Sequence, residues 1–396
     1  MWTCGEVAES AKSRTAKTAA TLEKEWAGPR AFRRATRECI MSYRGVARQG
    51  LFILLLLCLY HSRHAAASIG DRLPEFKSCV AVPTPKPQHR YHGTDNRQEC
   101  VETNCGPNGL HIRMYTFQYT LINTQSNSDF PALQHRLLLW DCPSECDYTC
   151  QHITTSQRLA RDPPFLNPIV QYHGKWPFYR LFGMQEPASV LFSLFNFLAH
   201  DRGMTKVREQ IPASYPLRKY YLLFGYFGLA SWIFSMVFHT RDFNVTEKLD
   251  YFAAGASVMY GLFYTPIRVF RLDRPRPSST STNNSAGTIL RAWTFLCASL
   301  YLLHIWYLTF VRFDYTYNMA ANVVVGIIQN LLWTYFSVQR YRKVGRLWAA
   351  WPGLIVAWII LAMSMELLDF PPFGGMVDAH ALWHLGTVGP TIWWYK

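Results

Sequence analysis

Seven apolar blocks occupy the chain between residues 186 and 395, and they constrain its fold more than any other feature. Each block is close to the roughly twenty residues that an α-helix needs to cross a bilayer. The last block is the weakest, because it contains Gly386, Gly389 and Pro390. The sequence therefore predicts an all-α polytopic membrane protein, a seven-transmembrane helix bundle, rather than two or three soluble domains. The blocks lie at about 186–202, 219–239, 250–269, 289–311, 319–338, 348–367 and 378–395.

The basic residues between these blocks indicate how the bundle is oriented. A net charge of +14 would suit a nucleic-acid partner, but an excess of Lys and Arg also marks the cytosolic loops of membrane proteins. If the N-terminal region is translocated, Lys and Arg cluster in the cytosolic connections near residues 202–219, 268–291 and 340–346. We therefore attribute the charge to topology and expect no nucleic-acid partner. The lumenal connections hold only Arg241, Lys248 and Arg312.

The N-terminal region has the pattern of a secretory signal peptide at residues 41–68. A basic stretch precedes a short apolar run from Leu51 to Tyr60, and small residues follow that run. The run is too short to be a good membrane span. Because the pattern begins at Met41, we interpret residues 1–40 as a leader from an upstream start codon or a gene-model error. A cytosolic tail followed by a signal anchor is the alternative.

Six cysteines lie between the signal peptide and the first apolar block, in a region that we predict to be a small disulfide-rich lumenal domain at residues 69–180. An even number of cysteines in a translocated, loop-rich region is typical of a disulfide framework. The four-residue spacing of the last three would alternatively suit a zinc site, but oxidising conditions and the lack of a CxxC pair favour disulfides. These cysteines are Cys79, Cys100, Cys105, Cys142, Cys146 and Cys150.

Five polar residues fall at the predicted lumenal ends of three membrane helices. Ser235 and His239 lie one turn apart at the end of the second block, Asp250 opens the third, and the pair His380 and His384 opens the seventh. Ionisable residues at membrane depth are costly and are functional candidates by default. Three imidazoles with a fourth position left open match the ligand set of a catalytic Zn²⁺ site. We therefore predict that the three histidines bind Zn²⁺, that the aspartate is a general base, and that the serine hydroxyl stabilises an oxyanion.

Each of these residues also has an interpretation without chemistry. A His-x3-His pair on a helix is more often incidental than a metal site, Ser235 is compatible with helix packing, and Asp250 with a helix cap. Ser235 could also be a nucleophile activated by His239, in competition with metal ligation for the same imidazole. His304, in mid-span among aromatic residues, is interpreted as a packed core histidine.

The spacing Ser235-x3-His239-x10-Asp250, followed by His380-x3-His384, resembles the pattern of a membrane hydrolase superfamily that includes alkaline ceramidases and adiponectin-type receptors. The surrounding sequence is most similar to the Per-like family, the post-GPI-attachment-to-proteins factor 3 group. The similarity covers roughly residues 97 to 392. The matching stretches are Trp140-x-Cys142-x3-Cys146-x3-Cys150, His173-Gly-Lys-Trp-Pro-Phe178, Gln185-Glu-Pro-Ala-Ser-Val190, Val237-Phe-His-Thr-Arg-Asp242, Thr246-Glu-Lys-Leu-Asp-Tyr251, Arg312-Phe-Asp-Tyr315 and Glu366-Leu-Leu-Asp-Phe-Pro-Pro372.

This resemblance implies GPI-anchor lipid remodelling, in which the sn-2 acyl chain is removed from the phosphatidylinositol of GPI-anchored proteins by phospholipase A2-type ester hydrolysis. It implies the same zinc ligands and catalytic residues, a supporting role for Glu186 and Asn196, and a membrane of the endoplasmic reticulum or Golgi with the site facing the lumen. The alternatives are a ceramidase-like lipid amidase and a non-enzymatic receptor or chaperone for GPI-anchored proteins. A Pro- and His-rich insert between Cys79 and Cys100 departs from the family pattern and leaves the pairing of Cys79 open.

Overall fold

The part of the chain that the structure describes is almost entirely helical. The computed structural model describes residues 68–80, 137–161, 168–274 and 285–396. Within these ranges, β structure is limited to isolated bridges at Tyr172–Lys175, Leu181–Met184 and Phe373–Val377. The predicted leader at 1–40, nearly all of the predicted signal peptide, Cys100 and Cys105 lie outside the described residues.

Three helices form what we call the cysteine segment: α1 (Ile69–Arg72), α2 (Pro74–Val80) and α3 (Cys142–Leu159). The α3 helix begins after Asp141, whose carboxylate accepts a hydrogen bond from the Ser144 amide at 2.9 Å. Its cysteines recur every four residues and so share one buried face.

A disulfide between Cys79 and Cys150 joins α2 to α3, with their Cα atoms 5.8 Å apart. Cys142 and Cys146 are disulfide-bonded as well. The disulfide interpretation of these cysteines is therefore confirmed, and the zinc alternative is wrong. The pairing of Cys79, which the sequence left open, is with Cys150.

The Cys79–Cys150 disulfide is expected to hold the cysteine segment together. It spans 71 residues of sequence, for which chain entropy gives a stabilisation of about 4 kcal/mol. Phe76, Val170 and Tyr172 pack around it in a small core. We expect limited proteolysis to cut this segment at least tenfold faster in the double variant Cys79→Ser/Cys150→Ser. Cys297→Ser, which removes a buried free thiol, is the matched control. Equal cleavage rates in all three proteins would show that the disulfide is dispensable.

In the described residues that follow the cysteine segment, seven longer helices lie one at each predicted apolar block. The helix predictions at these positions are confirmed. Several helices extend beyond their apolar blocks, because polar and charged residues at the ends of a block also continue the helix. The helices are α4 (Pro187–Gln210), α5 (Arg218–Thr240), α6 (Asn244–Phe270), α7 (Ser285–Trp306), α8 (Tyr315–Val344), α9 (Trp351–Leu368) and α10 (Ala379–Trp394). A π-helical turn, Tyr307–Val311, continues α7, and a 3-10 turn, Leu347–Ala350, precedes α9.

The α6 helix begins earlier than the sequence predicted. It starts at Asn244, because the Thr246 hydroxyl accepts a hydrogen bond from the Phe243 amide at 2.9 Å and so satisfies one of the free donors at the helix start. Asp250 therefore lies in the second turn of α6. The alternative in which Asp250 caps this helix is wrong.

Four of the described helical segments are long and apolar enough to cross a membrane: Arg218–Thr240, Gly287–Val311, Tyr315–Val344 and Leu347–Leu368. These segments make the chain a multi-pass membrane protein. The three remaining long helices, α4, α6 and α10, contain more polar residues or are shorter; α10 has 16 residues. These three helices carry much of the candidate site described below.

Six of the long helices pack in a closed ring. In order around the ring they are α4, α5, α6, α8, α9 and α10, and α10 packs against α4 to close it. The α7 helix packs outside the ring, against α6. At one end of the ring, α5, α6, α8 and α9 share a buried core that includes Tyr220, Tyr264, Trp333 and Val356. The polar residues singled out in the sequence lie at the opposite end.

The C-terminal end of α10 is fixed by Tyr395. A Cβ atom on Gly203 would overlap the Tyr395 ring, so this glycine leaves room for the side chain. A Cβ atom on Gly225 would overlap the Met204 side chain and would lie 3.1 Å from the Tyr395 hydroxyl. The hydroxyl is also 3.1 Å from Nδ1 of His200. Tyr395 thus joins α10 to α4 and α5.

Candidate metal centre

Three histidines from two helices converge at the polar end of the ring. His239 lies in the last turn of α5, and His380 and His384 lie in the first two turns of α10. One ligand atom of each can be chosen so that the three atoms lie within 4.8 Å of one another. Nε2 of His380 is 3.2 Å from Nε2 of His239. The structure thus brings together the residues that the sequence proposed as zinc ligands.

Two local features place α10 so that its histidines face α5. Asp378 caps the helix by accepting a hydrogen bond from the Ala381 amide at 2.8 Å. The four-residue spacing then puts His380 and His384 on one face of the helix. At the start of α4, the amide of Glu186 donates to the His239 carbonyl at 3.0 Å, which holds this residue beside the end of α5.

The Nδ1 atom of each imidazole is engaged by a neighbouring group. His239 Nδ1 donates to Glu186 Oε2 at 2.8 Å, and His380 Nδ1 donates to Glu366 Oε2 at 2.5 Å. His384 Nδ1 lies 2.9 Å from the Ser193 hydroxyl and 3.3 Å from a backbone carbonyl of α4. A carboxylate on one ring nitrogen fixes the tautomer and leaves the other nitrogen as a metal ligand.

This donor set fits a zinc ion. Neutral imidazole nitrogen is among the preferred ligands of Zn²⁺, and two such ligands of a tetrahedral site lie about 3.3 Å apart. The 3.2 Å between the Nε2 atoms of His239 and His380 is close to that spacing. Because their Nδ1–H groups point at Glu186 and Glu366, both Nε2 atoms carry a lone pair when the imidazoles are neutral, and a cation between them would bind both.

Ser235 lies beside the histidines, one turn before His239 on α5. Its hydroxyl is 3.1 Å from the hydroxyl of Ser193, which in turn contacts His384. The described hydrogen bond of Ser235 therefore leads to a second serine and not to His239. This arrangement does not favour the alternative of a serine nucleophile activated by His239.

Asp250, in the second turn of α6, lies within electrostatic range of the same centre. Its carboxylate is near enough to His239 and His380 for their charges to interact, and it also interacts with Lys175 and Glu186. All five residues selected from the sequence are therefore grouped at one end of the ring, contributed by α5, α6 and α10.

Asn196 supports the backbone that carries His384. Its side-chain amide donates to the His384 carbonyl at 2.7 Å, and its oxygen accepts from the Thr387 hydroxyl at 3.2 Å. Asn196 is fully buried. Asn196 contacts α10 and Glu186 contacts α5, so the two residues link α4 to both histidine-bearing helices. The family resemblance implied a supporting role for these same two residues.

Sequence reasoning missed the roles of Glu366, Ser193 and Lys175. The sequence did contain an indication of a role for Glu366. It is the sole charged residue of α9, and an acidic residue in an apolar helix is a functional candidate. Ser193 is an ordinary helix serine, and its contact with His384 depends on how α4 and α10 pack. Lys175 lies in a connecting segment, and nothing in its local sequence indicates where its amine goes.

Lys175 reaches the centre from the segment before α4. Its amine lies 2.6 Å from Glu186 Oε1 and 3.0 Å from Asp242 Oδ2. Burial on its own would lower the pKa of this amine, but the two carboxylates outweigh burial and hold the pKa above its usual value. The amine is therefore a permanent cation next to the carboxylate that orients His239.

Comparison with known proteins identifies relatives of this chain. A family model described as the Per1-like family matches residues 132–396. Protein PER1 homolog of Schizosaccharomyces pombe is 38% identical over 352 residues, which cover 88% of this chain and 92% of that protein. GPI-specific phospholipase A2-like PGAP3 of Homo sapiens is 30% identical over 341 residues, covering 86% of this chain and 91% of that protein. No solved structure matches the chain significantly.

Proposed function

The chain belongs to the Per1-like family, and from this premise we propose that it remodels the lipid of GPI-anchored proteins. The proposed reaction is hydrolysis of the sn-2 ester in the phosphatidylinositol of the anchor, which releases one fatty acid and leaves a lysolipid. The name of the human relative, GPI-specific phospholipase A2-like PGAP3, supports both the substrate and the reaction class. That relative matches 86% of this chain, and the family model matches residues 132–396, which include the whole candidate centre.

The convergence of His239, His380 and His384 is the observation that carries the hydrolase proposal. A zinc ion held by these histidines supplies Lewis acidity toward an ester carbonyl and toward water. Glu186 and Glu366 hold two of the imidazoles in the tautomer that such binding requires. The same architecture underlies our proposal that the family shares its mechanism with alkaline ceramidases and adiponectin-type receptors.

Asp250 and Ser235 take the two remaining roles. The Asp250 carboxylate accepts a proton from the attacking water as the water oxygen bonds to the acyl carbon. It then returns that proton to the sn-2 oxygen as the ester bond breaks, so that a fatty acid and an alcohol result. The Ser235 hydroxyl donates to the carbonyl oxygen as negative charge develops there.

The proposed setting is the lumenal leaflet of the endoplasmic reticulum or Golgi membrane. All seven long helices cross the membrane in this proposal, so that the centre lies at the depth of lipid head groups. An ester could reach it from within the bilayer, while the glycan and protein parts of the substrate remain in the lumen. The disulfide-bonded cysteine segment adjoins the same end of the bundle and supports a lumenal location for it.

The test is incubation of the purified full-length protein and zinc with a GPI-anchored protein whose sn-2 chain is labelled. We expect labelled fatty acid to be released, and no release when the label is in the sn-1 chain. Ceramide with a labelled acyl chain serves as the competing substrate. Turnover of ceramide alone would support a lipid amidase, and tight binding of the GPI-anchored protein without release would support a receptor or chaperone. Either result would overturn the proposal.

A further inference from the structure

One stretch singled out in the sequence, His173-Gly-Lys-Trp-Pro-Phe178, has no part in the mechanism proposed above. It begins with a tight turn in which the Tyr172 amide donates to the Lys175 carbonyl at 2.7 Å and the Lys175 amide returns a bond of 2.8 Å. The two central residues, His173 and Gly174, both have positive φ angles, 48° and 81°. This is the geometry of a type I′ turn, which fixes the direction of the residue that follows it.

The cysteine segment holds this turn in place. The His173 amide donates to Asp71 at 2.8 Å, and the His173 ring lies 2.9 Å from Asp147. The Gly174 amide donates to the Ser68 hydroxyl at 2.6 Å. The turn is thus fastened to residues of α1 and α3 and to the residue before α1. The position of Lys175, the last residue of the turn, depends on the cysteine segment.

The amine of Lys175 lies between two carboxylates and an aromatic ring. It contacts Glu186 Oε1 at 2.6 Å and Asp242 Oδ2 at 3.0 Å, and it sits 3.9 Å from the centre of the Phe238 ring. The Glu186 side chain is only 5% exposed. Because Oε1 of Glu186 binds Lys175 while Oε2 binds His239, each oxygen of this buried carboxylate has its own partner.

We propose that Lys175 is a positioning residue for the candidate metal centre. By holding one oxygen of Glu186, it fixes the rotation of the carboxylate and so the orientation of the His239 ring. The cysteine segment thereby influences the centre through the turn that places Lys175. This inference rests on the proposed zinc site. Partners that orient a metal ligand in this way typically change metal affinity by about 10- to 100-fold.

The test measures zinc loss from the purified full-length protein in excess chelator, a readout that needs no lipid substrate. The variants are Lys175→Met, Glu186→Gln and the double variant that combines them. Lys248→Met is the matched control, because Lys248 lies at the same end of the bundle and its amine faces the Phe313 ring at 5.6 Å. We expect zinc loss at least tenfold faster from Lys175→Met and unchanged from Lys248→Met. Because Lys175 acts through Glu186, the double variant should lose zinc no faster than Glu186→Gln.

Two outcomes would overturn the inference. One is retention of zinc by Lys175→Met at the wild-type rate. The other is a double variant in which the effects of the two single substitutions on the rate of zinc loss add in full. A residue that only supports the fold would speed zinc loss regardless of which residue occupies position 186. Failure of the wild-type protein to hold zinc would instead overturn the proposed zinc mechanism. The two failures are therefore distinguishable.

Discussion

Replacing His384 with glutamine is expected to remove zinc from the protein and to reduce fatty-acid release by roughly 1000-fold or more, since metal catalysis contributes several kcal/mol to such reactions. His384 is 4% exposed, lies between Ser193 and the Trp232 ring, and is one of three converging imidazoles. Glutamine preserves most of the side-chain volume but cannot replace the imidazole. The measurements are bound zinc per protein and the rate of release of the labelled sn-2 chain.

The matched control for this prediction is His304→Gln. His304 belongs to α7, outside the ring, and its ring contacts Tyr317. We expect this variant to keep both zinc and activity. If His384→Gln releases fatty acid at the wild-type rate, these histidines do not catalyse the reaction. If both variants lose zinc equally, the loss reflects a general disturbance of the bundle.

Asp250→Asn is expected to separate chemistry from metal binding. Asparagine is nearly isosteric with aspartate but cannot accept the proton of the attacking water. A positioned general base contributes about 10²- to 10⁴-fold, so fatty-acid release should fall by that factor. Zinc content should stay at the wild-type level, because Asp250 is not one of the three converging ligands. Single-turnover release and zinc content, measured on the same preparation, check both parts.

The contrast between Asp250→Asn and His384→Gln makes this prediction specific. Loss of zinc from Asp250→Asn would mean that the carboxylate is itself a ligand, and the role of base would then belong to another group. Unchanged release would remove Asp250 from the mechanism altogether. Only low activity with retained zinc agrees with the proposed role.

Much of the candidate site could be predicted from local sequence, because helical periodicity determines which of its residues share a helix face. Four-residue spacing places His380 with His384 on one face, and Ser235 with His239 on another, once both segments are known to be helices. If every apolar block crosses the membrane, as the sequence predicts, the start of α10 falls at the same end of the bundle as the end of α5. Such reasoning uses only helix geometry and topology, and the residues are in fact found together.

The partners that orient these histidines could not be predicted in the same way. Ser193 reaches His384 only through packing between helices, since the two residues are 191 residues apart. Glu366 lies 14 residues before His380 and Lys175 lies 11 residues before Glu186, but each contact depends on the path of an irregular connection that periodicity does not describe. Helix limits were also missed where a side chain sets them. The early start of α6 depends on the hydroxyl of Thr246, a local hydrogen bond that hydrophobic periodicity does not reveal.

The anchoring of Tyr395 has a mechanical consequence for the histidines at the other end of α10. At 1.5 Å per residue, Tyr395 lies about 22 Å along the helix from His380. The helix is held at one end by the contacts of Tyr395 with Gly203 and His200, and at the other by the contacts of Glu366 and Ser193 with its imidazoles. Such a rod can neither slide along its axis nor roll without breaking contacts at both ends. The spacing of the imidazoles is therefore set by the fold itself, and binding of the proposed zinc ion would require no rearrangement of the helices.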